Sequence, residues 1–233
     1  MPASIVRETR AVATPSASTN LFSDPVEMAK VKPPVAAPVL RDVPTDWAGL
    51  AAAVSGCTEC KLCRTRTNTV FGVGLPLAPL MVVGEGPGAD EDAQGQPFVG
   101  RAGKLLDEML KAIGRTRHES APEKSVYIAN VVKCRPPANR DPEADEVEAC
   151  RPYLDQQIRL IQPKLIVALG RIAAQRLLAT DEPLSKLRGN VYAYGSEQTP
   201  VMITYHPAYL LRSPGEKAKS WADLKRVHQF LAG

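Results

Sequence analysis

The sequence predicts an α/β fold: three layers, with a central, mostly parallel four-stranded sheet between helices, and a disordered tail over residues 1–45. Three observations predict it. Four short apolar runs, Leu80–Val83, Val126–Val132, Leu165–Leu169 and Val201–Thr204, recur along the chain. Stretches of helical period follow them, and alternating strands and helices build a parallel sheet covered on both faces. Each run also ends in glycine, charged or aromatic residues. In a parallel sheet such ends share one edge, where open α/β folds place their sites.

Residues 1–45 are rich in Ala, Pro, Ser, Thr and Val without sustained periodicity, the composition of a tail that buries too little to fold. A domain over 46–233 then begins with a short helix, Trp47–Val54, which delivers Cys57. After the first strand comes Gly84-Glu85-Gly86-Pro87-Gly88, a turn whose glycines let backbone approach a ligand. An acidic loop (Asp90, Glu91, Asp92) and the isolated pair Phe98-Val99 precede a helix over 102–113. The second strand carries one amide, Asn130, and leads to Cys134 and Arg135-Pro136-Pro137. Asp141 as cap and Pro142 at the first position predict a helix over 143–161, with Pro152 breaking or kinking it just past Cys150. A third strand, a helix over 171–179 and a fourth strand follow. That strand ends in Tyr205-His206-Pro207, and a docked helix over 216–231 closes the chain with Trp221, Leu224, Val227 and Leu231 on one face.

A chain of 233 residues with a hydrophobic fraction of 44% makes one domain plus a tail. The net charge of +4 permits a polyanionic partner without demanding one. No apolar run approaches the roughly 18 residues of a membrane span, and the N-terminus lacks a signal core, so a cytoplasmic protein is expected. In that compartment the five cysteines read as metal-binding or reactive thiols. Cys57-x2-Cys60 is a close ligand pair, and Cys134 and Cys150 bring the thiols to four, which suits either a [4Fe–4S] cluster or a tetrahedral zinc. Cys63 is left as a spare thiol.

Four strand ends facing one cleft make Glu85, Phe98, Asn130 and His206 the candidate site residues. Glu85 offers a base or a water-holding carboxylate, Phe98 a stacking ring, Asn130 a paired donor and acceptor for a nucleobase edge, and His206 an imidazole. Gly84-x-Gly86-x-x-Ala89 does not make a dinucleotide fingerprint, because Pro87 removes an N–H from the phosphate turn. Arginines 64, 66, 101, 135, 140, 171 and 212 in the loops of the same rim suit phosphate contacts.

Three segments carry a resemblance. GEGPGADEDAQGQPFVGRAGKLLD, NVVKCRPPANRDPEADEVEACRPYL and TYHPAYLLRSP, taken in order from about Cys57 to the C-terminus, resemble family 4 uracil-DNA glycosylases, the iron–sulfur members of their superfamily. The resemblance implies a monofunctional glycosylase that hydrolyses deoxyuridine in DNA and leaves an abasic site. It places Cys57, Cys60, Cys134 and Cys150 as ligands of a [4Fe–4S] cluster. Phe98 is then the ring stacked on a flipped uracil, Asn130 the amide on its edge, and His206 the contact to O2. Glu85, Gly86 and Glu91 line the base and the water, with Glu85, Glu91 and His206 as the catalytic set. Leu210, Leu211 and Arg212 form the loop that enters the duplex. The implied partner is uracil-containing DNA, single- or double-stranded, bound by a nucleoid-associated monomer, with the tail free for a repair or replication partner. The rival reading is a non-catalytic iron–sulfur module that binds nucleic acid.

Overall fold

The computed structural model describes residues 31–32, 42–118 and 121–233. Seven strands form one sheet: β1 (Val31–Lys32), β2 (Val73–Gly74), β3 (Leu80–Gly84), β4 (Val126–Asn130), β5 (Leu165–Leu169), β6 (Val191–Tyr194) and β7 (Thr199–Thr204). Their spatial order is β1-β6-β7-β5-β3-β4-β2. The four expected strands are its parallel centre, β7-β5-β3-β4, so four carboxyl ends lie side by side. The sheet is wider than expected because β6 joins β7 and β2 joins β4, both antiparallel. β1 extends the far edge by pairing in parallel with β6 through Val31 and Lys32, inside the stretch read as tail. The rest of 1–41 lies outside the described residues.

Among the described residues eight α-helices flank the sheet: α1 (Trp47–Ser55), α2 (Ala89–Gln94), α3 (Arg101–Ala112), α4 (Ala144–Ile161), α5 (Gly170–Leu178), α6 (Leu184–Leu187), α7 (Pro207–Arg212) and α8 (Lys217–Ala232). The central strands are largely apolar because both faces are covered. Alternation then sorts side chains between two cores. Met81, Val83, Ala129, Ile166 and Ile203 pack with residues of α1, α4 and α5. Leu80, Val82, Ile128, Val167 and Met202 pack with α3, α7 and α8. These are the three layers expected. No described helix is long and apolar enough to cross a membrane.

Four local expectations are corrected. The acidic stretch is the helix α2, not a loop; its acids crowd the first turn, where the helix dipole favours them. Asn130 lies at the end of β4 rather than inside it, while Val131 and Val132 continue by donating to the Gly84 and Glu85 carbonyls. The cap of α4 is Glu143, whose N–H is held by Glu146 Oε2 at 2.8 Å, and Asp141 instead pairs with Arg171. Of the break or kink expected at Pro152, the break is absent, because the residue sits within a continuous α4. Its ring costs about 3 kcal/mol in a helix interior. Downstream, Tyr153, Leu154, Ile158 and Ile161 are all buried, and each such side chain contributes roughly 1.5–3 kcal/mol, so burial outweighs the lost bond.

Candidate active site and cysteine centre

The carboxyl ends of β3, β4 and β7 open into one cleft, lined among others by Glu85, Gly86, Phe98, Asn130, His206 and Arg212. Asn130 forms part of its floor. The side chain is 2% exposed, and its Oδ1 has no hydrogen-bond partner among the described residues. A buried amide oxygen without a partner carries a desolvation penalty of about 1–3 kcal/mol. The backbone behind it is fixed by Lys133, itself fully buried, whose Nζ donates to the Asn130 carbonyl at 2.9 Å and to Gln157 Oε1 at 2.6 Å.

Phe98 lies beside Asn130, and its ring centroid is 5.6 Å from that of His206. A Cβ on Gly84 would meet Asn130 Oδ1 at 2.4 Å and Phe98 Cζ at 2.8 Å, so only glycine keeps this slot open. On Gly86 a Cβ would meet Val132 Cγ2 at 2.8 Å. Phe98 itself holds a left-handed backbone, φ 56°, which is costly for a bulky residue. Two groups hold it. Arg117 donates to the Pro97 and Phe98 carbonyls, each at 2.7 Å, and is braced by Asp107. Glu91 accepts from the N–H groups of Gly88, Val99 and Gly100 at 3.1, 3.0 and 3.3 Å. Glu91 lines the cleft, but its oxygens are committed to backbone, so it positions the Phe98 loop.

His206 and Glu85 differ in how burial affects them. Desolvation, with the Arg212 charge, lowers the imidazole to about 4, so the ring is neutral at physiological pH. Its Nδ1 accepts the Ala208 N–H at 3.1 Å, which puts the proton on Nε2 and makes that atom a donor. Glu85 is raised to about 7, first by desolvation and then by Asp141, against the lowering effect of Arg171. A carboxylate near 7 is matched to proton transfer at neutral pH.

The Leu210–Arg212 segment is helical rather than a loop. Leu210, 1% exposed, belongs to the core beneath α7, whereas Leu211 is half-buried and Arg212 is exposed at the cleft. The rim arginines divide as well. Arg140 is held by Glu146, Arg171 by Asp141 and Arg66 by Cys134, while Arg64, Arg101 and Arg212 are exposed. Asn139, which also lines the cleft and accepts from Arg135 Nε at 2.8 Å, escaped sequence reasoning, as did Arg117 and Lys133. Asn139 had a signal in the run Pro136-Pro137-Ala138-Asn139, since asparagine tolerates the left-handed backbone it adopts at φ 55°.

All five cysteines are free and line one small cavity beside α1 and α4. Cys134 and Cys150 are buried, and Cys57, Cys60 and Cys63 are half-buried. Arg66 Nη1 donates to Cys134 Sγ at 3.1 Å, and the Lys133 N–H donates to Cys150 Sγ at 3.2 Å, contacts that favour the thiolate against the burial that raises both thiols. Burial pushes the Cys150 thiol up to about 12, so ligation there must displace a proton. Cys63 instead faces the Thr58 carbonyl at 4.0 Å. No three His, Cys, Asp or Glu side chains among the described residues converge as they would on a single ion. Asp92, 3% exposed, ties this segment to the cleft by accepting the N–H groups of Thr67 and Asn68 at 2.9 and 3.3 Å.

Residues 71–225 match the model of the uracil DNA glycosylase superfamily. A type-4 uracil-DNA glycosylase of Sulfurisphaera tokodaii is 45% identical over 184 residues, which span 76% of this chain and 81% of that protein. Proteins of the same name from Archaeoglobus fulgidus and Thermotoga maritima are 44% and 42% identical, over 76% of this chain and 89% and 91% of theirs. Similarity of this depth, across nearly the whole of each relative, makes the chain a member of the uracil DNA glycosylase superfamily and, within it, of the type-4 group.

Proposed function

We propose that this chain excises uracil from DNA by hydrolysing the N-glycosidic bond, leaving an abasic site, and that the cleft at the strand ends is where it does so. The observation that carries the assignment is Asn130 Oδ1, buried and unpartnered beside the ring of Phe98. A base inside the duplex stack is out of reach, so the nucleotide must flip into the cleft. Phe98 then stacks on the ring, and the Asn130 amide pairs with the uracil edge, whose donor–acceptor order cytosine lacks. Bond cleavage leaves negative charge on uracil, where the His206 Nε2–H donates to O2. Glu85, beside Gly86, holds the attacking water and takes its proton. Glu91 keeps the loop in place, and Leu211 and Arg212 face the duplex next to the lesion, with Leu210 anchoring their helix.

In the same reading Cys57, Cys60, Cys134 and Cys150 hold a [4Fe–4S] cluster, with Cys63 outside the set. The cavity offers cysteine thiols and no histidine, a donor set that iron–sulfur clusters take. When bound, the cluster supplies a structural tie between the segment after α1, the loop after β4 and α4.

An oligonucleotide with one uracil, and a thymine twin, tests the activity in the presence of EDTA. Cleavage at uracil alone after alkali is expected, and no abasic product from cluster-loaded protein would overturn the reading. Repeated across pH, the excision rate should rise through an apparent pKa near 7 as Glu85 loses its proton, with no fall between pH 5 and 8 from His206, which is already neutral. Glu85→Gln should flatten that rise. Gly84→Ala probes the slot: over-packing typically costs ~1–3 kcal/mol. Excision should therefore fall by roughly 5- to 150-fold, with the cluster spectrum unchanged. Wild-type rates in this variant would remove uracil from the space between Asn130 and Phe98.

A further inference from the structure

Tyr209 is 37% exposed, the one aromatic among the exposed large apolar side chains of the described residues. It lines the cleft one helical turn beyond His206, with Arg212 a further turn along. The ring is propped from behind. Tyr205 stacks on it with centroids 5.2 Å apart at 26°, and the Arg188 guanidinium carbon lies 4.3 Å from the Tyr205 centroid. Both neighbours cannot cover the same face, so Tyr205 is held between them. Arg188 is fixed in turn: its Nε donates to Asp223 at 2.9 Å and its Nη2 to the Lys219 carbonyl at 3.0 Å. Asp223 also accepts from Thr204 Oγ1 at 2.7 Å, which roots the column in the last residue of β7. A column built from the sheet outward ends in a solvent-exposed ring at the mouth of a base-binding cleft.

We propose that Tyr209 is a stacking platform for the nucleobase next to the target nucleotide on the same strand. This inference rests on the excision reading. The occupant follows from continuity with the cleft and from charge. When a nucleotide turns into the cleft, its neighbour loses a stacking partner, and the open ring lies beside the path of the strand. Arg212, exposed on the same helix, meets the phosphate between them. Tyr209 thereby replaces the lost stack, and it does so for any base, since every base has a π-face.

The test uses full-length protein and single strands bearing a non-cleavable 2′-fluorodeoxyuridine, with either a base or a tetrahydrofuran site at each neighbouring position. Binding is read by fluorescence anisotropy. Removing the neighbouring base on one side should weaken wild-type binding by about 5- to 150-fold, the value of one base–aromatic stack. Tyr209→Ala should lose a similar factor on the intact strand and nothing more when that base is removed. Tyr209→Phe should behave as wild type. Indifference of the wild type to both neighbours would overturn the proposal, as would an undiminished response in Tyr209→Ala. The wild-type comparison needs no variant to fold. Excision from cleavable twins is scored separately: a stacking response without uracil release would fail the excision reading and leave the platform intact.

Discussion

His206→Ala is expected to slow single-turnover uracil excision by roughly 10²–10³-fold, about 2.7–4 kcal/mol, the usual loss when one preorganised donor to developing negative charge is removed. The size follows from how the donor is prepared. The Ala208 N–H occupies Nδ1 and fixes the tautomer, and burial keeps the ring neutral. In the proposed mechanism a neutral donor to uracil O2 gains most of its strength as negative charge builds on the departing base, so the effect belongs in the chemical step rather than in binding. Single-turnover rates with saturating enzyme isolate that step, and circular dichroism with the cluster spectrum reports the fold. A loss of less than tenfold, with the spectra unchanged, would remove His206 from the reaction.

The second large effect is expected at the cysteines. Cys150→Ala should yield protein without the visible absorbance of a [4Fe–4S] cluster, whereas Cys63→Ala should keep it. Linking Cys57 to Cys150 closes a loop of about 90 residues, and constraining a loop of that size contributes ~4–5 kcal/mol by chain entropy. At 2–4 °C per kcal/mol for a chain of this length, the melting temperature of Cys150→Ala should fall by roughly 10–20 °C. If Cys63→Ala lost the cluster and Cys150→Ala kept it, the ligand set proposed here would be wrong.

The parallel centre of the sheet was legible because its strands are buried on both faces and therefore read as unbroken apolar runs. β6, four residues ending just before Gly195, gave no such run; the tyrosines of Val191-Tyr192-Ala193-Tyr194 depend on tertiary partners, as Tyr194 does on Asp155. β1 is two residues whose pairing comes entirely from β6, so nothing local marks it. Pro152 misled for a related reason: its cost is local, while the burial that offsets it is spread over the following turns. At the site, residue types were readable and their states were not. Glu91 looked like one more acid of the cleft, yet three backbone N–H groups take up its oxygens. The carboxyl of Glu85 is raised first by burial in the folded cleft and then by Asp141, against Arg171, and none of these is adjacent to it in sequence. Lys133, adjacent to a cysteine, gave no hint of reaching back to the Asn130 carbonyl.

The left-handed backbone of Phe98, clamped by Glu91 on one side and Arg117 on the other, bears on how a rare lesion is found among a vast excess of normal bases. Ordering a loop around each visiting base would spend conformational entropy at every encounter, and the time lost would fall almost entirely on undamaged DNA. Here that entropy is lost once, when the chain folds. In the proposed reading a pyrimidine that does not fit meets a finished surface and leaves without having reorganised it.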